Sequence, residues 1–216
     1  MRLLKTKNKS SSSKRWLHRQ LKDPLVKEAR AQNKRSRAAF KIMDIQKKYK
    51  LFKDGQTIVD LGAAPGGWSA EIAPLVHATE GSDGKVIALD LLDIEPIKHA
   101  LILKGDFTQE TTQKLLLQHL TQDALDGVVS DMAPSCMGHK ETDHLRQINL
   151  ARKAFVFAQD TLKPSGFFVT KFFQGSQEVT FLKDLRLVFE DVYIFKPKSS
   201  RDRSREMYAV CKGFKG

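Results

Sequence analysis

Apolar residues recur at helical spacing over the first 50 positions and, beyond position 55, in short blocks that alternate with longer amphipathic stretches. Residues 15–31 carry Trp16, Leu17, Leu21, Leu25, Val26 and Ala29 among charges, and residues 36–50 carry Phe40, Ile42, Met43 and Ile45. Both spacings predict basic helices. After Lys53-Asp54-Gly55 the texture changes. Blocks at 57–61, 85–90, 100–103, 126–131, 166–173, 190–195 and 206–212 predict strands, and 67–77, 109–120, 143–162 and 176–188 predict helices between them. Alternation of this kind implies an α/β fold with a parallel sheet covered on both faces by helices. The final two blocks, DVYIF and REMYAVC, are joined only by a basic loop. A parallel crossover needs a dozen or more residues, so the last of seven strands is expected to run antiparallel to a mostly parallel sheet. There is no internal repeat, and Ser10–Ser13 is the one low-complexity patch.

In an open sheet of this sort ligands bind at the carboxyl ends of the strands. Those ends carry Asp60 and Gly62, Asp90, Asp106, Asp131 and Lys171. Any one of these acids alone reads as a helix cap or turn residue; their recurrence at equivalent places points to a site. The loop VDLGAAPGGWS, residues 59–69, narrows the ligand. It lacks the Gly-Lys-Ser/Thr of a P-loop, and Gly62, Gly66 and Gly67 do not have the G-x-G-x-x-G spacing of a dinucleotide site. Asp90 is placed to accept both hydroxyls of a ribose and Asp106 an adenine amino group. Glycines let the main chain approach a methionine moiety without a Cβ clash. Ribose, adenine and amino acid together suggest S-adenosylmethionine (SAM).

Charge adds a partner. The 216 residues, 41% apolar, suit one domain plus an extension. Residues 1–50 hold 17 Lys and Arg against 3 Asp and Glu, and the remainder 20 against 22, so the formal excess of +12 lies in the N-terminal quarter. A second basic run, KPKSSRDRSR, occupies 196–205. Concentrated positive charge points to phosphate, although a solvated tail is an equal reading for residues 1–13. Cys136 and Cys211 form neither a disulfide framework nor a zinc spacing, which fits a reducing compartment. No apolar run approaches a membrane span, and the first residues lack the hydrophobic centre of a secretory signal. A cytoplasmic location is expected; the Ser- and Lys-rich start, free of acids up to Asp23, also fits a mitochondrial presequence.

From SSSKRWL through SRAAFK, LFKDGQTIVDLGAAPGGWS, VIALDLL, GDF, VVSDMAPS and FFVTKFFQG to KPKSSRDRSREMY, the chain resembles the FtsJ/RrmJ family of ribosomal RNA methyltransferases over nearly its whole length. The resemblance implies a Rossmann-like SAM-dependent methyltransferase fold over residues 36–216, preceded by a basic extension, 1–35, for RNA binding. It implies methylation of a uridine 2′-hydroxyl in the A-loop of large-subunit rRNA, on the assembled large ribosomal subunit, by a monomer that needs no metal. Carried onto the matching motifs, the family's catalytic set falls on Lys41, Asp131, Lys171 and Glu206, and its SAM contacts on Gly66, Trp68, Asp90, Asp106 and Asp131. One departure is visible: where the family continues D-M-A-P with N-x-S-G, this chain has Ser135-Cys136-Met137-Gly138.

A ribose hydroxyl is a poor nucleophile, and a lysine can take its proton only when partly neutral. Burial and neighbouring positive charge favour that state and acids oppose it. Lys171 is the expected base, with Lys41 as a positive neighbour and Asp131 and Glu206 orienting the two lysines. A Lys171 that stays charged would instead orient the hydroxyl or stabilise the developing oxyanion. From position alone Lys41 reads as a surface charge, Glu206 as an edge-strand acid paired to Arg203 or Arg205, and Trp68 as packing. Three rivals are weighed: a pyrimidine C5 methyltransferase using Cys136, although Ser135 separates that thiol from the proline; an adenine N6 enzyme, for which Ser135 cannot stack a flipped base; and an RNA-binding ribosome-assembly factor on a relic fold, against which the intact catalytic set speaks.

Overall fold

The computed structural model describes residues 23–120, 125–135, 137–200 and 204–216. Six helices in these residues, α1 (Pro24–Ala31), α2 (Ala38–Tyr49), α3 (Ser69–Val76), α4 (Glu110–Gln118), α5 (Lys140–Thr161) and α6 (Glu178–Val188), alternate with seven strands. The strands are β1 (Thr57–Leu61), β2 (Lys85–Asp90), β3 (Ala100–Lys104), β4 (Leu125–Ser130), β5 (Leu162–Phe173), β6 (Phe189–Phe195) and β7 (Glu206–Phe214). They form one sheet in the order β3-β2-β1-β4-β5-β7-β6. β7 runs antiparallel to both its neighbours, as expected of the last strand, and the other pairings are parallel.

The core explains why the strands read as unbroken apolar runs. Val59, Leu61, Val128, Phe168 and Phe172 pack on one face with α5 and α6, while Ile58, Val129, Phe167 and Val169 pack on the other with Ile42 and Ile45 of α2 and Ile72 of α3. Neighbouring residues of one strand thus enter opposite layers, and both layers are buried. The chain builds outward from β1 to β2 and β3, then returns to place β4 on the other flank of β1. That reversal leaves a crevice between the ends of β1 and β4, the position at which open α/β sheets take ligands.

Beyond position 36, two elements start three or more residues from the sequence-based expectation, and the other boundaries fall within two. β5 starts at Leu162 rather than 166 because its register against β4 passes from Leu125↔Leu162 to Gly127↔Phe167. Lys163-Pro164-Ser165-Gly166 is therefore a bulge carried inside the strand, with Ser165 at φ 66°. The pairing with β4 resumes on both sides of it. α5 starts at Lys140 rather than 143, capped by the His139 ring, which accepts from the Thr142 N–H at 3.3 Å. Of the predicted helix 15–31, the described part is α1, with Asp23 accepting from the Leu25 N–H and Pro24 opening the first turn; residues 15–22 lie outside the described residues. No described helix is long and apolar enough to cross a membrane.

Candidate active site

Antiparallel pairing of β5 with β7 sets Lys171 opposite Tyr208 and Phe173 opposite Glu206. Glu206 and Tyr208, two apart on a strand, project to the same face. α2 crosses that face and lowers Lys41 onto it, and Asp131 follows the last residue of β4. The four residues expected to form the catalytic set are thereby brought together. Lys171 Nζ donates to the Asp131 main-chain oxygen at 2.6 Å and stands 3.0 Å from Asp131 Oδ1. Lys41 Nζ lies 3.7 Å from that same Oδ1, 3.4 Å from Glu206 Oε2, and donates to the Tyr208 hydroxyl at 2.9 Å. Tyr208 in turn donates to Asp131 Oδ1 at 2.6 Å. The lysines are 7% and 4% exposed, so neither is a solvated surface charge. Burial alone would raise the Asp131 carboxyl, but Lys171, Lys41 and the Tyr208 hydroxyl outweigh it and hold the group below its ordinary range. The same surroundings push Tyr208 well up, through burial and then the negative charges of Asp131 and Glu206.

Tyr208 is the residue that reading the sequence missed. It stands in the quoted REMY segment, where a tyrosine in a strand passes for core, and it is fully buried. The signal was its i+2 spacing from Glu206. Two further residues escaped notice on α5. Beyond the last β4–β5 pair, Ser130↔Thr170, the carbonyls of Lys171 and Phe173 are taken by side chains: Gln147 Nε2 donates to Lys171 O at 3.0 Å and to Met132 O at 3.1 Å, and His144 Nδ1 lies 2.8 Å from Phe173 O. These bonds replace the missing strand and hold the lysine-bearing end of β5 against the end of β4.

A cleft of about 670 Å³ opens from Asp131 toward the ends of β2 and β3, lined by Gly62, Asp90, Asp106, Met132, Pro134 and residues of α5. Asp90 accepts from the Ala64 and Leu92 N–H groups at 2.9 Å each, and Asp106 from the Thr108 N–H and hydroxyl at 2.9 and 2.8 Å. The Thr108 bonds hold the Asp106 carboxyl below its usual range. Gly62, at φ 76°, turns the chain beneath the cleft, and a Cβ there would meet Met132 main-chain atoms at 2.8–2.9 Å. Two carboxylates at one end, a glycine floor and Asp131 at the other end fit an adenosine carrying an amino acid.

Gly66 and Trp68, expected among the SAM contacts, do not line this cleft. Gly66, at φ 97°, faces Ile94, Ile97 and Arg35. The Trp68 indole is buried beneath α2, donating to Ala38 O at 2.9 Å and lying 5.7 Å from the Tyr208 ring. Its side chain fixes the helix that carries Lys41, which leaves its main chain as what it can offer a ligand. Glu206 pairs with Lys41 rather than with Arg205, whose guanidinium donates to Gln174 O and Lys140 O. Arg203 and Cys136 lie outside the described residues.

Asp60, at the same strand end, is buried beneath the glycine loop. Its Oδ2 accepts from the Ser69 hydroxyl at 2.6 Å, and its Oδ1 has no hydrogen-bond partner among the described residues. Burial pushes its carboxyl up to about 7, against the Ser69 bond and assisted by the charge of Asp131. An acid raised in the folded state keeps its proton while the unfolded chain releases one, so it weakens the fold progressively from pH 4 to 7 and by a constant amount above that. Asp60→Asn removes this term. In thermal or urea unfolding followed across pH, the variant is expected to gain on the wild type over that window, by on the order of 3–4 kcal/mol. A difference that does not change with pH would refute the assignment.

A model of the FtsJ-like methyltransferase family matches residues 34–214. Relatives named ribosomal RNA large subunit methyltransferase E come from Rickettsia felis, 46% identical over 98% of this chain and 93% of the relative, and from Maricaulis maris, 46% identical over 100% of this chain and 75% of the relative. A Plasmodium falciparum protein whose crystal structure is described as that of a ribosomal RNA methyltransferase superposes with a TM-score of 0.75 at 30% identity, covering 84% of this chain and 99% of that one.

Proposed function

The chain belongs to the FtsJ-like methyltransferase family, and on that premise we propose that it methylates large-subunit ribosomal RNA from SAM, at the 2′-hydroxyl of a uridine in the A-loop of the assembled subunit. The observation that carries the reading is the continuity of the Lys41–Asp131–Lys171–Glu206 network with the cleft: Asp131 belongs to both. SAM, when bound, supplies an electrophilic methyl group. Asp90 and Asp106 would hold its ribose and adenine, with Gly66 and Trp68 contributing main-chain contacts. Everything else concerns the nucleophile.

Lys171 Nζ has two acceptors, both on Asp131. To act as the base it must first give up a proton; its two remaining N–H groups then satisfy both acceptors and its lone pair turns to the incoming hydroxyl. As the ribose oxygen takes the methyl group that bound SAM would supply, the hydroxyl proton would pass to Lys171 Nζ. Lys41, held by Glu206 and Tyr208, would place a positive charge beside the oxygen as it becomes nucleophilic. Selectivity for one nucleotide would come from the shape of the folded RNA.

The test is transfer of labelled methyl from SAM to large ribosomal subunits, with nuclease and mass mapping of the product. A single 2′-O-methyluridine, unaffected by Cys136→Ser, is expected. A methyl on a base that Cys136→Ser abolishes would place the protein with the C5 enzymes, and tight RNA binding without transfer would make it an assembly factor.

A further inference from the structure

Much of the basic charge around the site is engaged within the fold. Lys34 pairs with Glu71 at 2.7 Å, Arg35 donates to Glu95 O and Pro96 O, Arg37 bonds Asp23 and Ser199 O, and Arg205 braces Gln174 O and Lys140 O. The C-terminal half of α2 differs. Lys47, Lys48 and Lys50 are exposed, and among the described residues no carboxylate forms an ion pair with them. They extend the helix that carries Lys41, two turns further from the site.

Beside them an aromatic surface has formed on the sheet's edge strand. Tyr49 lies 5.2 Å from the Tyr193 ring and 5.6 Å from that of Phe195, and Lys48 Nζ stands 5.2 and 5.1 Å from the rings of Tyr49 and Phe195. Tyr193 is 41% exposed, as is its neighbour Ile194. The register ties this surface to the site, because Phe195 pairs with Tyr208 and Tyr193 with Val210. Tyr193 is thus one strand and two residues from the tyrosine that touches Asp131, roughly 8 Å along the main chains. Asp191, whose negative charge raises the Tyr193 hydroxyl above its ordinary range, bounds the patch on the side away from the site.

We propose that this aromatic and basic patch holds the RNA strand flanking the methylated nucleotide, with phosphates on Lys47, Lys48 and Lys50 and an unpaired base stacked on Tyr193. The inference rests on the rRNA reading above and adds to it a docking surface. An unpaired cluster of lysines selects an anion, and an exposed ring within it adds the stacking by which proteins grip unpaired bases without reading their sequence.

Steady-state methyl transfer to large subunits should show KM for the subunit raised about tenfold in Tyr193→Ala and in Lys48→Glu, with kcat within about twofold of wild type. The dependence of log KM on log salt should fall by about one for Lys48→Glu. SAM affinity measured by calorimetry should be unchanged in both, which separates docking from folding. A photoreactive phenylalanine analogue introduced in place of Tyr193 reads the surface without turnover, and should cross-link to RNA. An unchanged KM in both variants, or cross-links to ribosomal protein alone, would overturn the proposal. A wild-type enzyme that transfers no methyl to the subunit would instead count against the reaction, leaving the cross-link to decide the surface.

Discussion

Lys171→Met is expected to lower the rate of methyl transfer by about 10²- to 10⁴-fold, the range that a positioned general base supplies, while leaving the affinities for SAM and RNA close to wild type. Methionine keeps the length of the apolar stem and deletes the one atom that donates to both acceptors on Asp131. Single-turnover kinetics with pre-bound RNA isolates the effect from docking. Lys171→Arg separates the two roles open to this group. A guanidinium cannot become neutral at working pH and has no lone pair to accept a proton, so under the base reading the arginine variant is as slow as the methionine one. Recovery of a tenth or more of the wild-type rate with arginine would mean that a fixed positive charge suffices and that the proton leaves by another route.

The parts of the site that were legible before the structure are those that polarity marks against an apolar background. Asp131 follows a run of buried residues and Lys171 stands inside one, where a charge needs a reason; the β4–β5 pairing seen in the structure puts them side by side. Lys41 and Glu206 had no such contrast. Each looks ordinary in its own segment, and only family resemblance raised them; the geometry that unites them is a helix crossing a strand 165 residues away in sequence. Tyr208, Gln147 and His144 were invisible for the opposite reason. Their polar atoms satisfy buried partners, so an aromatic in a strand and two polar residues on a helix blend into the pattern of the core. Charge is less legible. Arg35, Arg37 and Arg205 fall in the basic runs that pointed to phosphate, and each donates to main-chain carbonyls that stitch loops around the site. Composition counts charges; it does not reveal which of them the fold has already used.

The Asp131 carboxylate is the group on which both lysines depend, and its loss should be felt in stability as well as rate. In Asp131→Asn, Lys41 keeps Glu206 at 3.4 Å, but Lys171 loses its ion-pair partner while 4% exposed. Leaving one buried charge uncompensated costs about 3–5 kcal/mol when its partner is removed. The sign of the pH dependence follows from the depressed carboxyl: the stabilisation is present above the unfolded value near 3.8 and is lost as pH falls through the lower folded value. The gap between wild type and Asp131→Asn in urea unfolding is therefore expected to be full at pH 7 and to close on acidification below about 4. Adding Lys171→Met to Asp131→Asn removes the stranded charge and should recover most of the lost stability, giving a coupling of about 1–3 kcal/mol in the double-mutant cycle. Activity should behave otherwise. If Asp131 acts by aiming Lys171, each single variant already abolishes the same function, and the double variant is no slower than the worse of the two. Rates that multiply would mean that Asp131 also acts on the substrate directly, from the face it turns to the cleft.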